Sequence, residues 1–143
     1  MKVLVDTSAW VDFLNEHESA VASALAELLQ GQDDICTCGL VVTEVFQGLR
    51  HERGRSGIAR LFRDMTFLEP SGIDSYLRAA ELFRRLREKG RTVRSAADCI
   101  IASIAEEAGC HLLARDRDLE TILASGLTKV RAWPVGAAGG SSA

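Results

Sequence analysis

The sequence predicts a three-layer α/β domain built on a central, mostly parallel sheet, and three observations predict it. Short runs rich in Val, Leu and Ile alternate with amphipathic stretches at three-and-four spacing. Strands separated by helices need crossover connections, and crossovers produce parallel pairing. The chain has 143 residues, 47% of them hydrophobic and 26% charged. That length suits one domain, and that composition is ordinary for a globular one. No apolar stretch approaches the roughly 20 residues needed to span a bilayer.

The elements follow in order. Residues 2–5 are a short β-branched-rich run, read as a buried strand. Thr7 and Ser8 follow as an N-cap pair for a helical turn or two through Leu14. Residues 19–30 read as a helix with Val21, Leu25, Leu28 and Leu29 on one face, stopped by Gly31. Residues 33–37 read as a second strand, and 40–50 as a helix with Val41, Val42, Val45, Phe46 and Leu49 at helical spacing. A helix over 58–64 and a short strand over 65–68 come next. Pro70-Ser71 opens a long helix to Lys89, with Tyr76, Leu77, Ala80, Leu82, Phe83 and Leu86 on its apolar side. Ser95 caps a helix running to Ala108 and closed by Gly109. A strand over 110–114, a helix over 119–123 and a last strand over 128–133 complete the set. Residues 1–135 therefore form the expected domain, and 136–143, which contain only Gly, Ala and Ser, an expected disordered tail.

The start, Met1-Lys2-Val3-Leu4-Val5-Asp6, reaches a carboxylate too soon for a signal peptide. A cytoplasmic protein is expected, with no membrane partner. Cys36, Cys38, Cys99 and Cys110 then read as reduced, small core residues. Zinc would want a second close ligand pair, and the sequence holds no C-x-x-C or paired His. The net charge of −3 excludes indiscriminate nucleic-acid binding over the whole surface. No phosphate-cradling glycine motif and no G-x-S-x-G elbow is present, which disfavours nucleotide-binding and serine-hydrolase chemistry.

Four acidic residues stand out by position. Asp6 ends the first strand, and Glu44 lies early in the helix after the second. Asp98 lies in the first turn of the helix that Ser95 caps, and Asp116 just beyond the strand over 110–114. In open parallel sheets, ligands bind at the carboxyl ends of the strands, near the switch in strand order. Singly, each acid has a structural reading. Ser95-x-x-Asp98 is a capping-box pattern, Asp6 suits a helix cap, Asp116 and Asp118 suit a turn, and Glu44 suits an exposed helix face. Together they are poor as a stabilising device. Two carboxylates about 4 Å apart repel by about 1 kcal/mol in water and about 4 kcal/mol at an effective dielectric of 20. A divalent cation makes such a cluster sensible, and oxygen ligands favour Mg²⁺ or Mn²⁺.

These residues carry a resemblance. Asp6-Thr7-Ser8-Ala9-Trp10-Val11-Asp12 resembles the opening motif of PIN-domain ribonucleases. Thr43-Glu44-Val45 with Gly48, Ala97-Asp98-Cys99-Ile100-Ile101-Ala102, and Leu112-Leu113-Ala114-Arg115-Asp116-Arg117-Asp118 resemble the second, third and fourth motifs. The similarity spans about residues 2–133, and the short form resembles the VapC-like toxins of toxin–antitoxin pairs. It implies a PIN-like α/β/α fold and endonuclease action on RNA, with Mg²⁺ or Mn²⁺ held by Asp6, Glu44, Asp98 and Asp116. It also implies supporting roles for Thr7 or Ser8, and products with 5′-phosphate and 3′-hydroxyl ends. Asp118 is an alternative to Asp116 as the fourth acid. Ala114 departs from the Thr frequent at that position. A small cognate antitoxin protein and a homodimer are the implied partners besides RNA.

Two basic stretches flank the acids. One holds Arg50, Arg53, Arg55, Arg60 and Arg63; the other runs from Arg84 through Arg91 and Arg94 toward Asp98. Arg91 and Arg94 are the candidate RNA contacts, since Arg suits phosphate through its planar fork. A solvated helix face is the plainer reading of each run. Trp10, Phe13 and Trp133 read as core aromatics, and His111 as a hydrogen-bonded structural residue. Two rival functions remain: a non-catalytic partner-binding scaffold of the same fold, and a receiver-like phosphate-accepting domain.

Overall fold

The computed structural model describes residues 1–49 and 54–136. Arg50, His51 and Arg53, and the expected tail beyond Gly136, lie outside the described residues. The elements are β1 (Lys2–Val5), α1 (Thr7–Leu14), α2 (Ala20–Gln30), β2 (Asp34–Cys38), α3 (Gly39–Gln47), α4 (Arg55–Arg63), β3 (Thr66–Leu68), α5 (Ile73–Glu88), α6 (Ala96–Ala108), β4 (His111–Leu113) and α7 (Arg117–Ala124).

The sheet has the order β3-β2-β1-β4, all parallel. β1 is central, and Val3, Leu4 and Val5 are fully buried. A strand covered on both faces must be apolar on both, so the run does not alternate. On one side α1 packs against α2 and α3, and the Trp10 ring packs on Phe62 at 4.7 Å between ring centres and a 46° tilt, tying α1 to α4. α6 packs against α5 and α7. The three-layer α/β/α architecture expected from the sequence is the one observed. The four cysteines are free and buried. Among the described residues no helix is long and apolar enough to cross a membrane.

The chain runs from β1 outward through β2 to β3, then returns to place β4 on the other side of β1. The strand order therefore reverses between β1 and β4. At that switch point the two connections leave in opposite directions and open a crevice at the carboxyl ends. Asp6 follows β1 and Asp116 follows β4 by three residues.

Five expectations need correction. The cap of α1 is Asp6, in an extended conformation, and Thr7 and Ser8 are the first helical residues. The long helix starts at Ile73, because Gly72 at φ 123° holds a conformation that ends the preceding loop and only glycine adopts easily. Its buried face is Ser75, Ala79 and Leu86, with Leu82 and Phe83 against the core, while Tyr76 and Leu77 are exposed. Small Ser75 is buried, and its main-chain carbonyl accepts a hydrogen bond from the Ser103 hydroxyl of α6 at 3.1 Å, which ties the two helices together. The last strand shrinks to one parallel bridge between Leu112 and Ala132. β4 is only three residues long, and Pro134 brings no amide donor to extend the ladder. His111 is held by packing of its ring edge-on to Trp133, at 5.6 Å and 90°.

Candidate metal centre

Asp6 is buried at the end of β1. Its Oδ2 accepts hydrogen bonds from the Ser8 amide at 3.1 Å and the Ser8 hydroxyl at 2.7 Å. Burial pushes its carboxyl above the ordinary value; the bonds from Ser8 oppose this, and the charge of Asp116 adds to it. Glu44 reaches the same rim from α3, where Thr7 Oγ1 donates to its Oε1 at 2.9 Å. Thr7 thus links the first and second motifs. Cys38, at the cap position of α3, has its thiol pushed up mainly by burial, with Asp6 and Glu44 adding to the shift. The sequence placed Cys38 only as a core residue; its neighbours make it a wall of the acidic site.

Asp98 lies in the first turn of α6. Ser95 caps this helix by accepting from the Ala97 amide at 3.0 Å, and among the described residues no bond returns from Asp98 to Ser95. The capping-box reading of Asp98 is therefore not realised. Its carboxyl is pushed up to about 7 by burial first, then by Asp116, Asp6, Asp118 and Glu44 in that order. The other three sequence-selected acids, with Asp118, all bear on Asp98.

Asp116 caps α7, its Oδ1 accepting from the amides of Asp118 at 2.8 Å and Leu119 at 3.0 Å. Asp118, two residues on, is buried. Its Oδ2 accepts from Arg94 Nε at 2.9 Å and the Arg94 amide at 3.2 Å. Burial would raise the Asp118 carboxyl, but the bonds and charge of Arg94 outweigh it and hold the group below its ordinary value. Asp98, Asp116 and Asp118 each bring one carboxylate oxygen within 4.8 Å of the others. The sequence left Asp116 and Asp118 as alternatives; both stand beside Asp98. Arg94 sits on the acid cluster itself, whereas Arg91 is exposed and has no ion pair among the described residues.

Two residues quoted within motifs but not read for a role also belong here. The Arg115 amide donates to Ser8 Oγ at 2.8 Å, and its guanidinium meets buried Asp12 through Nη2 to Oδ1 and Nε to Oδ2, both at 2.8 Å. Burial pushes the Asp12 carboxyl up, and the hydroxyl of Ser19 with the guanidinium of Arg115 outweighs it, leaving the group below its ordinary value.

The donor set is all oxygen and excess negative. A site of this chemistry fits Mg²⁺ or Mn²⁺, which prefer carboxylates and water to nitrogen or sulfur. The charge has a consequence for the metal-free protein. Between the unfolded value of 3.8 and the folded value of about 7, folded Asp98 holds a proton that the unfolded chain lacks. Raising the pH through that window must favour unfolding. Thermal melts in chelator should therefore show stability falling from about pH 5 to about pH 8. The lowered carboxyls, Asp12 and Asp118, act below the unfolded value and leave this window alone. A rise in stability across the same window would contradict the cluster.

Known proteins resemble the chain in sequence and in fold. The PIN domain family model matches residues 3–122. "VapC ribonuclease Mb1587" of Mycobacterium bovis and "Ribonuclease VapC11" of Mycobacterium tuberculosis are each 31% identical over 121 residues, covering 84% of this chain and 90% of the relative. Among solved structures, VapBC2 from Rickettsia felis, bound to a DNA fragment from their promoter, superposes with a TM-score of 0.68 at 21% identity, covering 94% of this chain and 100% of that one. VapC20 of Mycobacterium tuberculosis, described as a Sarcin-Ricin loop cleaving toxin, superposes with a TM-score of 0.65 at 22% identity, covering 90% and 98%. At those identities the superpositions speak for the fold.

Proposed function

The chain belongs to the PIN-domain family, and from that premise we propose that it is a Mg²⁺- or Mn²⁺-dependent endoribonuclease, the toxin of a toxin–antitoxin pair. The observation that carries this reading is the convergence of Asp6, Glu44, Asp98, Asp116 and Asp118 at the switch point of the sheet. The names of the curated relatives, both ribonucleases, support it.

Asp6, Asp98 and Asp116 would hold the cation, with Glu44 and Asp118 alongside, and the bound ion would acidify a water and offset charge on the phosphodiester. The protein's own residues set the stage. Thr7 and Ser8 orient Glu44 and Asp6 through hydrogen bonds. Arg94 neutralises Asp118, which lowers the repulsion that an incoming phosphate would meet. Arg91, exposed and three residues before Arg94, would supply a cation for backbone phosphate. In-line attack of water on phosphorus breaks the bond to the 3′ oxygen, so one fragment keeps a 5′-phosphate and the other a 3′-hydroxyl.

The antitoxin reading is supported by the similarity to the VapBC structures and by a mostly apolar groove of about 490 Å³ lined by Val42, Phe46, Phe62, Met65 and Phe67, with Arg63 at its edge. Phe67 stands half exposed there. An uncovered apolar stripe, Ile73, Tyr76 and Leu77 on α5, supports the expected homodimer. Family membership sets the receiver-like alternative aside.

The test is purified protein incubated with total RNA and Mg²⁺, followed by mapping of the cut ends. Cuts with 5′-phosphate ends are expected. Cyclic-phosphate ends would contradict the mechanism, and intact RNA would favour the non-catalytic scaffold.

A further inference from the structure

Resting on that reading of the acids as a cation site, we propose that Arg115 and Asp12 form a positioning pair that fixes Asp116 relative to Asp6.

Asp6 and Asp116 come from chain segments far apart in sequence and repel each other. Their separation must be held by something other than their own attraction. A relay of hydrogen bonds spans the gap. The Arg115 amide donates to Ser8 Oγ at 2.8 Å, and the Ser8 hydroxyl donates onward to Asp6 Oδ2 at 2.7 Å. One hydroxyl thus serves as acceptor from the loop that follows β4 and as donor to the acid that follows β1. The Asp6 amide, in turn, donates to the Leu113 carbonyl at 2.8 Å.

The relay fixes only the main chain of Arg115. Its side chain adds a second anchor. The guanidinium engages both oxygens of Asp12 at 2.8 Å. Asp12 lies six residues after Asp6, about 9 Å farther along α1 at the usual helical rise. The Asp12 side chain is 5% exposed and that of Arg115 57% exposed, so the carboxylate is the buried, immobile member of the pair. Residue 115 is therefore pinned to α1 at two points. Asp116 is the next residue, and on its far side its Oδ1 is committed to the amides that start α7. Its Cα can move little from a place about 3.8 Å from that of Arg115.

The placement of the cation also matters. Arg94 pairs with a carboxylate of the cluster, whereas Arg115 pairs with Asp12, outside it. Arg115 can brace the loop without taking an oxygen that a metal ion would use. Groups that orient metal-binding carboxylates typically contribute ten- to a hundredfold to affinity.

The test measures Mn²⁺ binding by loss of the free-ion electron paramagnetic resonance signal, beside thermal melts in chelator. Arg115→Ala should raise the Mn²⁺ dissociation constant about tenfold or more. Asp12→Asn should do much the same, and the double substitution little more than either alone, since both remove one interaction. Arg115→Lys should recover part of the affinity, because an ammonium keeps the charge and can reach one carboxylate oxygen of Asp12. It also serves if Arg115→Ala folds poorly. A lower melting temperature with unchanged Mn²⁺ affinity in Arg115→Lys and Asp12→Asn would reduce the pair to a structural ion pair and overturn the proposal. Weaker RNA binding with unchanged Mn²⁺ affinity would instead make Arg115 a phosphate contact, which overturns it as well. Wild-type protein that leaves the Mn²⁺ signal untouched would sink the cation-site reading itself, and the positioning role with it.

Discussion

Asp98→Asn should abolish nearly all RNA cleavage while leaving the metal-free protein as stable as the wild type, or more so. Most substitutions in a folded domain act the other way on stability. Here the side chain is surrounded by Asp116, Asp6, Asp118 and Glu44, whose charges, with burial, push its carboxyl to about 7. Above that pH the wild type must carry the charge against its neighbours. Each close pair contributes repulsion of about 1 kcal/mol in water and more where water is excluded. The substitution also removes a negative charge from the first turn of α6, a loss of about 0.3–1 kcal/mol. No reciprocal bond to Ser95 is lost, because none is formed among the described residues. Relief of repulsion therefore equals or exceeds the loss. Near pH 5 the wild-type group is neutral and nearly the same shape as Asn, so the two proteins should converge. Cleavage, by contrast, needs the charged ligand and should fall by orders of magnitude. Melts in chelator at both pH values, with a cleavage assay, read all of this. A less stable but fully active variant would make Asp98 a helix cap.

Chelation should have an equally large effect. In EDTA, cleavage should drop to background and return with Mg²⁺ or Mn²⁺. The reason lies in the charge of the site. Asp98, Asp116 and Asp118 bring oxygens within 4.8 Å of one another, and the nearest cation, Arg94, is already committed to Asp118. Arg115 is likewise committed to Asp12. Neither guanidinium is free to receive a phosphodiester at the acids themselves. Without a bound cation the phosphate would meet the repulsion of the carboxylates, and the attacking water would lack the ion that acidifies it. Added Mg²⁺ should also raise the melting temperature, since an ion that binds only the folded state stabilises it. Cleavage undiminished in chelator would rule out the acids as the catalytic centre.

The sequence made the sheet and the acid positions readable for a local reason. Val3, Leu4 and Val5 form an unbroken apolar run, and Asp6 follows at once, so both the buried strand and its end are visible within a few residues. The same holds for Leu112, Leu113 and Asp116. The face of α5 was not readable, because Tyr76 and Leu77 match helical spacing as well as the true inner residues do. What decides it is the packing of α5 on α6, which buries small Ser75 and Ala79. Asp116 and Asp118 were inseparable because both start one helix; one caps it and the other turns to Arg94, a partner 24 residues away. The Arg115–Asp12 pair spans 103 residues, and no local pattern announces it. The sequence could list acids near strand ends; which hydroxyl or guanidinium holds each is a matter of long-range packing.

The central claim is that these carboxylates form a divalent-cation site. Its most direct test is calorimetric titration of Mn²⁺ into chelator-stripped protein near pH 8, where Asp98 is ionised. Saturable binding with one or two ions per chain is expected, the ions being displaced as Asp98 takes up a proton when the pH is lowered through about 7, and much weakened in Asp98→Asn. Heats no larger than dilution in the wild type, or equal affinity in wild type and Asp98→Asn, would contradict the account.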